Sequence, residues 1–141
     1  MSSKHLSIRI ESDTLDRLDQ QSRRAGQSRS ELAKMLLEEG LRMELHPGIV
    51  FRSGPAGRRP GLAGGPDVWE VIRVFRSQQY AGEEAIRQAA GLTSLTAEQI
   101  RTVIGYYADF KDEIDVWIRR IDDEAERLEA AWQRGQAILN Q

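Results

Sequence analysis

The chain of 141 residues has no cysteine. Disulfide frameworks, cysteine zinc sites and thiol nucleophiles are therefore excluded. Its two histidines, His5 and His46, lie in different segments, and neither has a second histidine at metal-ligand spacing. Apolar runs of membrane-spanning length are missing, and the opening "MSSKHLSIRI" does not read as a signal peptide, because Arg9 and Glu11 break its apolar stretch. A cytoplasmic protein is the expectation. The acidic run "DFKDEID" sets Asp109, Asp112 and Glu113 at neighbouring helical positions, which is the pattern of a solvated face rather than an acid–base site. Neither an enzyme nor a cofactor is expected.

The net charge is only −2, but it is unevenly spread. Residues 1–65 hold 11 Lys/Arg against 8 Asp/Glu, and residues 66–141 hold 9 against 14. Any polyanion should meet the front half.

Three segments follow from pattern. In residues 1–45, "KHLSIRIES" alternates Leu6, Ile8 and Ile10 with His5, Ser7 and Arg9, the period of a strand with one buried face. "SDTLDRLDQQSRRAG" reads as a helix capped by Ser12 or Asp13, with Leu15 and Leu18 on its buried face and Gly26 at its end. "SRSELAKMLLEEGLRMEL" reads as a second helix, with Ser28 and Glu31 at capping-box spacing and Leu32, Leu36, Leu37 and Leu41 at helical spacing. Residues 46–66 hold all four prolines and half of the glycines, and read as a β-hairpin or wing, or else a flexible linker. Residues 67–141 read as helical. One helix begins at Pro66-Asp67, a short one ends at Gly91, and a third begins at Thr96, with Ile100, Val103, Ile104 and Tyr107 facing inward. The last, from Phe110, carries Ile114, Trp117, Ile121, Ala125 and Leu128.

A lone strand leaves its N–H and C=O groups unpaired, and one strand with two helices buries too little apolar surface to stand as a monomer. Pairing with the same strand of a second copy resolves both. Leu6, Ile8 and Ile10, with Leu32 and Leu36, would then form a dimer core, and the polar parity would face outward on a two-stranded ribbon. Such a ribbon fits the major groove of B-DNA.

The stretch "LSIRIESDTLDRLDQQSRRAGQSRSELAKMLLEEGL" resembles a ribbon-helix-helix domain of the Arc/MetJ/CopG type. The resemblance implies a mainly α fold with an intermolecular two-stranded sheet. It also implies base contacts from the outward strand residues, here His5, Ser7 and Arg9 with Lys4 at the margin. A phosphate would be anchored at the second helix's start, here Ser28, Arg29 and Ser30. The expected partners are double-stranded operator DNA and a second copy of the chain, with higher order open.

Residues 64–115, and most of all "LTAEQIRTVIGYYADFKDEID", resemble the small antitoxin domain found beside PIN-like nuclease toxins in VapBC-type systems. That likeness implies a helix-turn-helix or winged-helix variant and a PIN-like toxin as partner. Only Arg101 is cationic on the helix from Thr96, so protein binding is favoured over DNA reading there. The last helix is either a core helix or a docking surface. On it, Arg119, Arg120, Arg127, Leu128, Trp132 and Arg134 are candidate toxin-binding residues. The combined expectation is a repressor that is also the antitoxin of a type II toxin–antitoxin system and autoregulates its operon. The alternative is a stand-alone ribbon-helix-helix regulator whose second half oligomerises or senses a signal. A third reading is a structural interaction protein with no DNA role.

Overall fold

The computed structural model describes residues 2–141 and is mainly α, with one small two-stranded sheet. The chain divides into two compact units, the first ending at Glu44 and the second spanning Leu45–Gln141.

The first unit contains α1 (Ser12–Ala25) and most of α2 (Arg29–Leu45). Helix α1 is preceded by Glu11, an extended N-cap with no side-chain bond, so neither Ser12 nor Asp13 caps it as expected; both already lie inside the first turn. The helix ends as the sequence predicts. Gly26 takes φ +65°, and the Gln27 N–H donates to the Ser22 carbonyl at 3.1 Å, closing the turn. The Ser28 hydroxyl accepts the Glu31 N–H at 3.1 Å and so caps α2. Leu32 is buried, while Leu36, Leu37 and Leu41 are exposed in the single chain.

Residues 4–11 form no strand here. A strand's backbone groups need a neighbouring ladder, and the single chain supplies none. The expected ribbon is therefore not formed within one chain, and Leu6, Ile8 and Ile10 are 66%, 71% and 44% exposed.

In the second unit, β1 (Ile49–Arg52) pairs antiparallel with β2 (Arg59–Leu62), with Ile49 opposite Leu62 and Arg52 opposite Arg59. The turn is closed by reciprocal backbone bonds between Gly54 and Gly57, the latter at φ +112°. Four helices follow: α3 (Val68–Ser77), α4 (Gly82–Thr93), α5 (Ala97–Asp109) and α6 (Lys111–Leu139). Helix α4 runs past Gly91 to Thr93 and ends where Ser94 adopts φ +58°, because nothing about Gly91 forces a left-handed turn. Helix α5 begins with a full capping box between Thr96 and Gln99.

The core of this unit is built from Ile49 and Leu62 of the hairpin, Val68, Val71 and Ile72 of α3, Ala89 of α4, Ile100, Val103 and Tyr106 of α5, and Ile114 and Ile118 of α6. Tyr106 is fully buried, whereas the expected Ile104 and Tyr107 are only partly so. Helix α6 packs only through its first half. Beyond Asp122, Gln136 is the one residue of the helix that is half-buried, and the others are exposed.

Candidate nucleic-acid interface

The front unit carries two groups of polar residues suited to a polyanion. Lys4, His5, Ser7 and Arg9 are all exposed, and none has an ion pair among the described residues. Arg9 offers the guanidinium fork that matches the O6 and N7 of guanine, and Ser7 is short enough for close approach. Their alternation with Leu6, Ile8 and Ile10 would place them on one face of an extended segment and the three apolar residues on the other.

The second group is the start of α2. The amide groups of the first turn have no intrahelical acceptor, and the helix dipole adds partial positive charge there. The Ser28 hydroxyl is taken up by the Glu31 amide. Arg29 is fixed by a two-pronged pair with Asp19 of α1, at 2.7 Å and 3.0 Å. Hydrogen bonding to Arg29 holds the Asp19 carboxyl below its ordinary value, and the same bond raises Arg29. Arg29 is exposed and Asp19 half-buried, so the pair positions the guanidinium beside the α2 start more than it stabilises the fold. Ser30 stands exposed in the first turn.

The cations of the second unit are engaged differently. Arg101 of α5 pairs with Glu83 at 2.6 Å, Arg73 with Asp122 at 2.6 Å and Arg76 with Asp115 at 3.0 Å. Arg52 and Arg59 both donate to the buried Asp67, and Arg58 reaches Ser53 at 3.0 Å. A phosphate-neutralising surface needs cations able to replace counterions, and Arg52, Arg59, Arg73, Arg76 and Arg101 are already matched by carboxylates of their own unit.

On α6, Arg119, Arg120, Arg127, Leu128, Trp132 and Arg134 are all exposed. They do not share one environment. Arg120 lies over the Trp117 ring, 5.6 Å from its centroid, and Arg127 pairs with Glu124 one turn away. Leu128 and Trp132 are each 62% exposed. A groove of about 1000 Å³ runs beside this helix, between Pro55 and Ala56 at the hairpin tip, Trp69 at the start of α3, and Trp117, Ile121 and Leu128 of α6.

Two features of the second unit have no counterpart in the pattern-based reading. Asp67 is a hub: besides Arg52 and Arg59 it accepts the Trp69 indole N–H at 3.2 Å, and its own N–H donates to Glu70 at 2.8 Å. His46 bonds Asp109 at 2.8 Å and meets the Tyr106 ring edge-on. The signal for the first was present in the capping-box spacing of Asp67 and Glu70, but the arginines reach it only through the hairpin register. Among the described residues no group of three His, Asp or Glu stands close enough to hold a metal ion. No helix of the described residues is long and apolar enough to cross a membrane.

Residues 4–42 match the family model described as ribbon-helix-helix protein, copG family. Proteins of that family bind DNA, act as dimers and regulate transcription. The match covers the strand segment, α1 and most of α2, and lends nothing to the antitoxin likeness of residues 64–115. No curated protein and no solved structure matches the chain.

Proposed function

We propose that the chain is a transcription regulator that binds double-stranded DNA as a homodimer, with residues 4–42 as its ribbon-helix-helix part. One observation carries the reading: a segment matched by that family leaves three alternate apolar residues, Leu6, Ile8 and Ile10, exposed and its ladder unpaired in the single chain. Two such segments paired antiparallel close each other's ladder and cover those side chains together with Leu32 and Leu36. The opposite parity then enters the major groove. Arg9 reads guanine, for roughly 1–3 kcal/mol of discrimination per bidentate contact. Ser7 and His5 touch neighbouring base edges, and Lys4 lies at the margin. A backbone phosphate docks at the α2 start, where the Arg29 and Ser30 amides and the Asp19-held Arg29 side chain fix the register. The test is a gel shift with the DNA upstream of the protein's own gene. Retained specific binding by the Ser7→Ala/Arg9→Ala double variant at moderate salt would reject the ribbon as the reading surface.

A second reading adds an antitoxin role, in which α6 covers a PIN-like nuclease and the regulator represses its own operon. The exposed Leu128 and Trp132, with arginines around them, favour it. Copurification from the native host separates the two. A stoichiometric nuclease, inactive in the complex and released by Trp132→Asp, is the antitoxin outcome; its absence leaves the stand-alone regulator.

A further inference from the structure

The second half of α6 has no function in the DNA-binding reading, and nothing in its own unit covers it. One line of apolar and small residues nevertheless runs along it. Ile121, Ala125, Leu128, Trp132, Gly135 and Leu139 follow one another at alternating intervals of four and three, the seam of a two-helix coiled coil. Ile114 and Ile118 begin the same seam and are buried in the core; from Ala125 onward it is exposed, with Leu139 at 77%. Most helical stability in proteins comes from packing an apolar face, and nothing in its own unit packs this one.

We infer that a second copy of the chain covers this seam, the two α6 helices lying antiparallel with residue 130 near their midpoint. Charge favours that occupant and that direction. The exposed half is graded: Asp122, Asp123, Glu124 and Glu126 crowd its first turn, while Arg127 and Arg134 against Glu129 leave the remainder net positive. A parallel pair would set four carboxylates beside their own copies. The antiparallel pair sets the acidic end of each helix against the end that carries Arg134, which has no ion pair among the described residues, and brings Arg134 across from the second copy's Glu124.

Packing agrees with this alignment. The midpoint places Leu128 against the second copy's Trp132, seating the largest exposed seam residue against a leucine at the centre. Ala125 meets Gly135, two small residues that permit close approach of the helices. Leu139 arrives beside Ile121, where the groove floored by Trp69 and Trp117 lies open to receive it together with the exposed Ile138. The contact is independent of the ribbon: it links the two chains of one ribbon dimer, or two ribbon dimers to one another.

The absence of native cysteine makes the test clean. In the antiparallel pair residue 129 flanks the seam on the same side in both helices, only about 3 Å apart along the axis, whereas the two copies of residue 125 are about 15 Å apart. In a parallel pair the Ala125 copies touch, and residue 129 lies on opposite sides. Full-length Glu129→Cys is expected to be bridged to its copy by a short thiol-specific crosslinker, Ala125→Cys is not, and Leu128→Asp/Trp132→Asp added to Glu129→Cys abolishes the bridge. Far-UV circular dichroism confirms that each variant is folded. Bridging at Ala125 instead, bridging at neither site, or bridging that survives the double substitution overturns the inference. So does a bound foreign protein that must be removed before Glu129→Cys crosslinks.

Discussion

At the scale of single residues, Asp67 does more than any other side chain in the second unit. It ends the hairpin's arginine ladder, caps α3 and holds Trp69, with its carboxylate only 9% exposed. Removing it takes the shared carboxylate from two half-buried arginines and the cap from α3, and Asp67→Ala should cost about 3 kcal/mol of unfolding free energy, read from denaturant curves. Asp115 gives a pH dependence. Bonds from Lys111 and Tyr107 hold its carboxyl below the ordinary value, so it is charged in the folded state down to lower pH than in the unfolded chain. Its contribution is therefore complete above the unfolded carboxylate value of about 4 and fades as pH falls through the lower folded value. Burial, then the bond to Asp115, raises the Tyr107 hydroxyl, so that contribution is complete below about 10 and is lost at higher pH. Thermal unfolding should show a plateau between these limits, with the acid limb displaced to higher pH in Lys111→Ala.

At the scale of elements, what the pattern revealed and what it hid divide along a physical line. The α1–α2 turn was legible because Gly26 must take φ +65°, which a residue type announces directly. The Thr96 start of α5 and the Asp67 start of α3 were legible because threonine, and aspartate after proline, are residue types that open helices, and each start is completed by a capping box. The end of α4 was not: Gly91 tolerates a helix interior, and a serine in a left-handed conformation carries no comparable mark. Tyr106 was passed over for Tyr107, because adjacent tyrosines differ only in which one the α5–α6 packing turns inward. The strand at residues 4–11 is the clearest case. Its alternation is real, but a single chain holds nothing for it to pair with. In a chain that also carries Leu128→Asp/Trp132→Asp, which removes the α6 contact, Ile8→Asp should therefore leave both helices formed and abolish the remaining dimer in sedimentation; an unchanged mass would show that the segment does not join the copies.

At the scale of the molecule, the candidate site follows the charge asymmetry of the sequence. Exposed, uncommitted cations lie at residues 4–9 of the front unit, those of α3–α5 are tied to neighbouring carboxylates, and Arg119 and Arg134 of the back unit, unpaired among the described residues, lie on the long helix α6. The division of labour is then a DNA-reading front and an associating back, whose long helix extends past its own core. The central claim is that the polar parity of residues 4–10 reads sequence. Its most direct measurement compares operator with unrelated DNA at one fixed salt concentration, for the native chain and for Arg9→Ala. The account predicts that Arg9→Ala, which removes one bidentate base contact from each chain of the dimer, lowers the preference for operator by at least roughly 30-fold, while affinity for unrelated DNA changes far less. A preference equal to that of the native chain would contradict it.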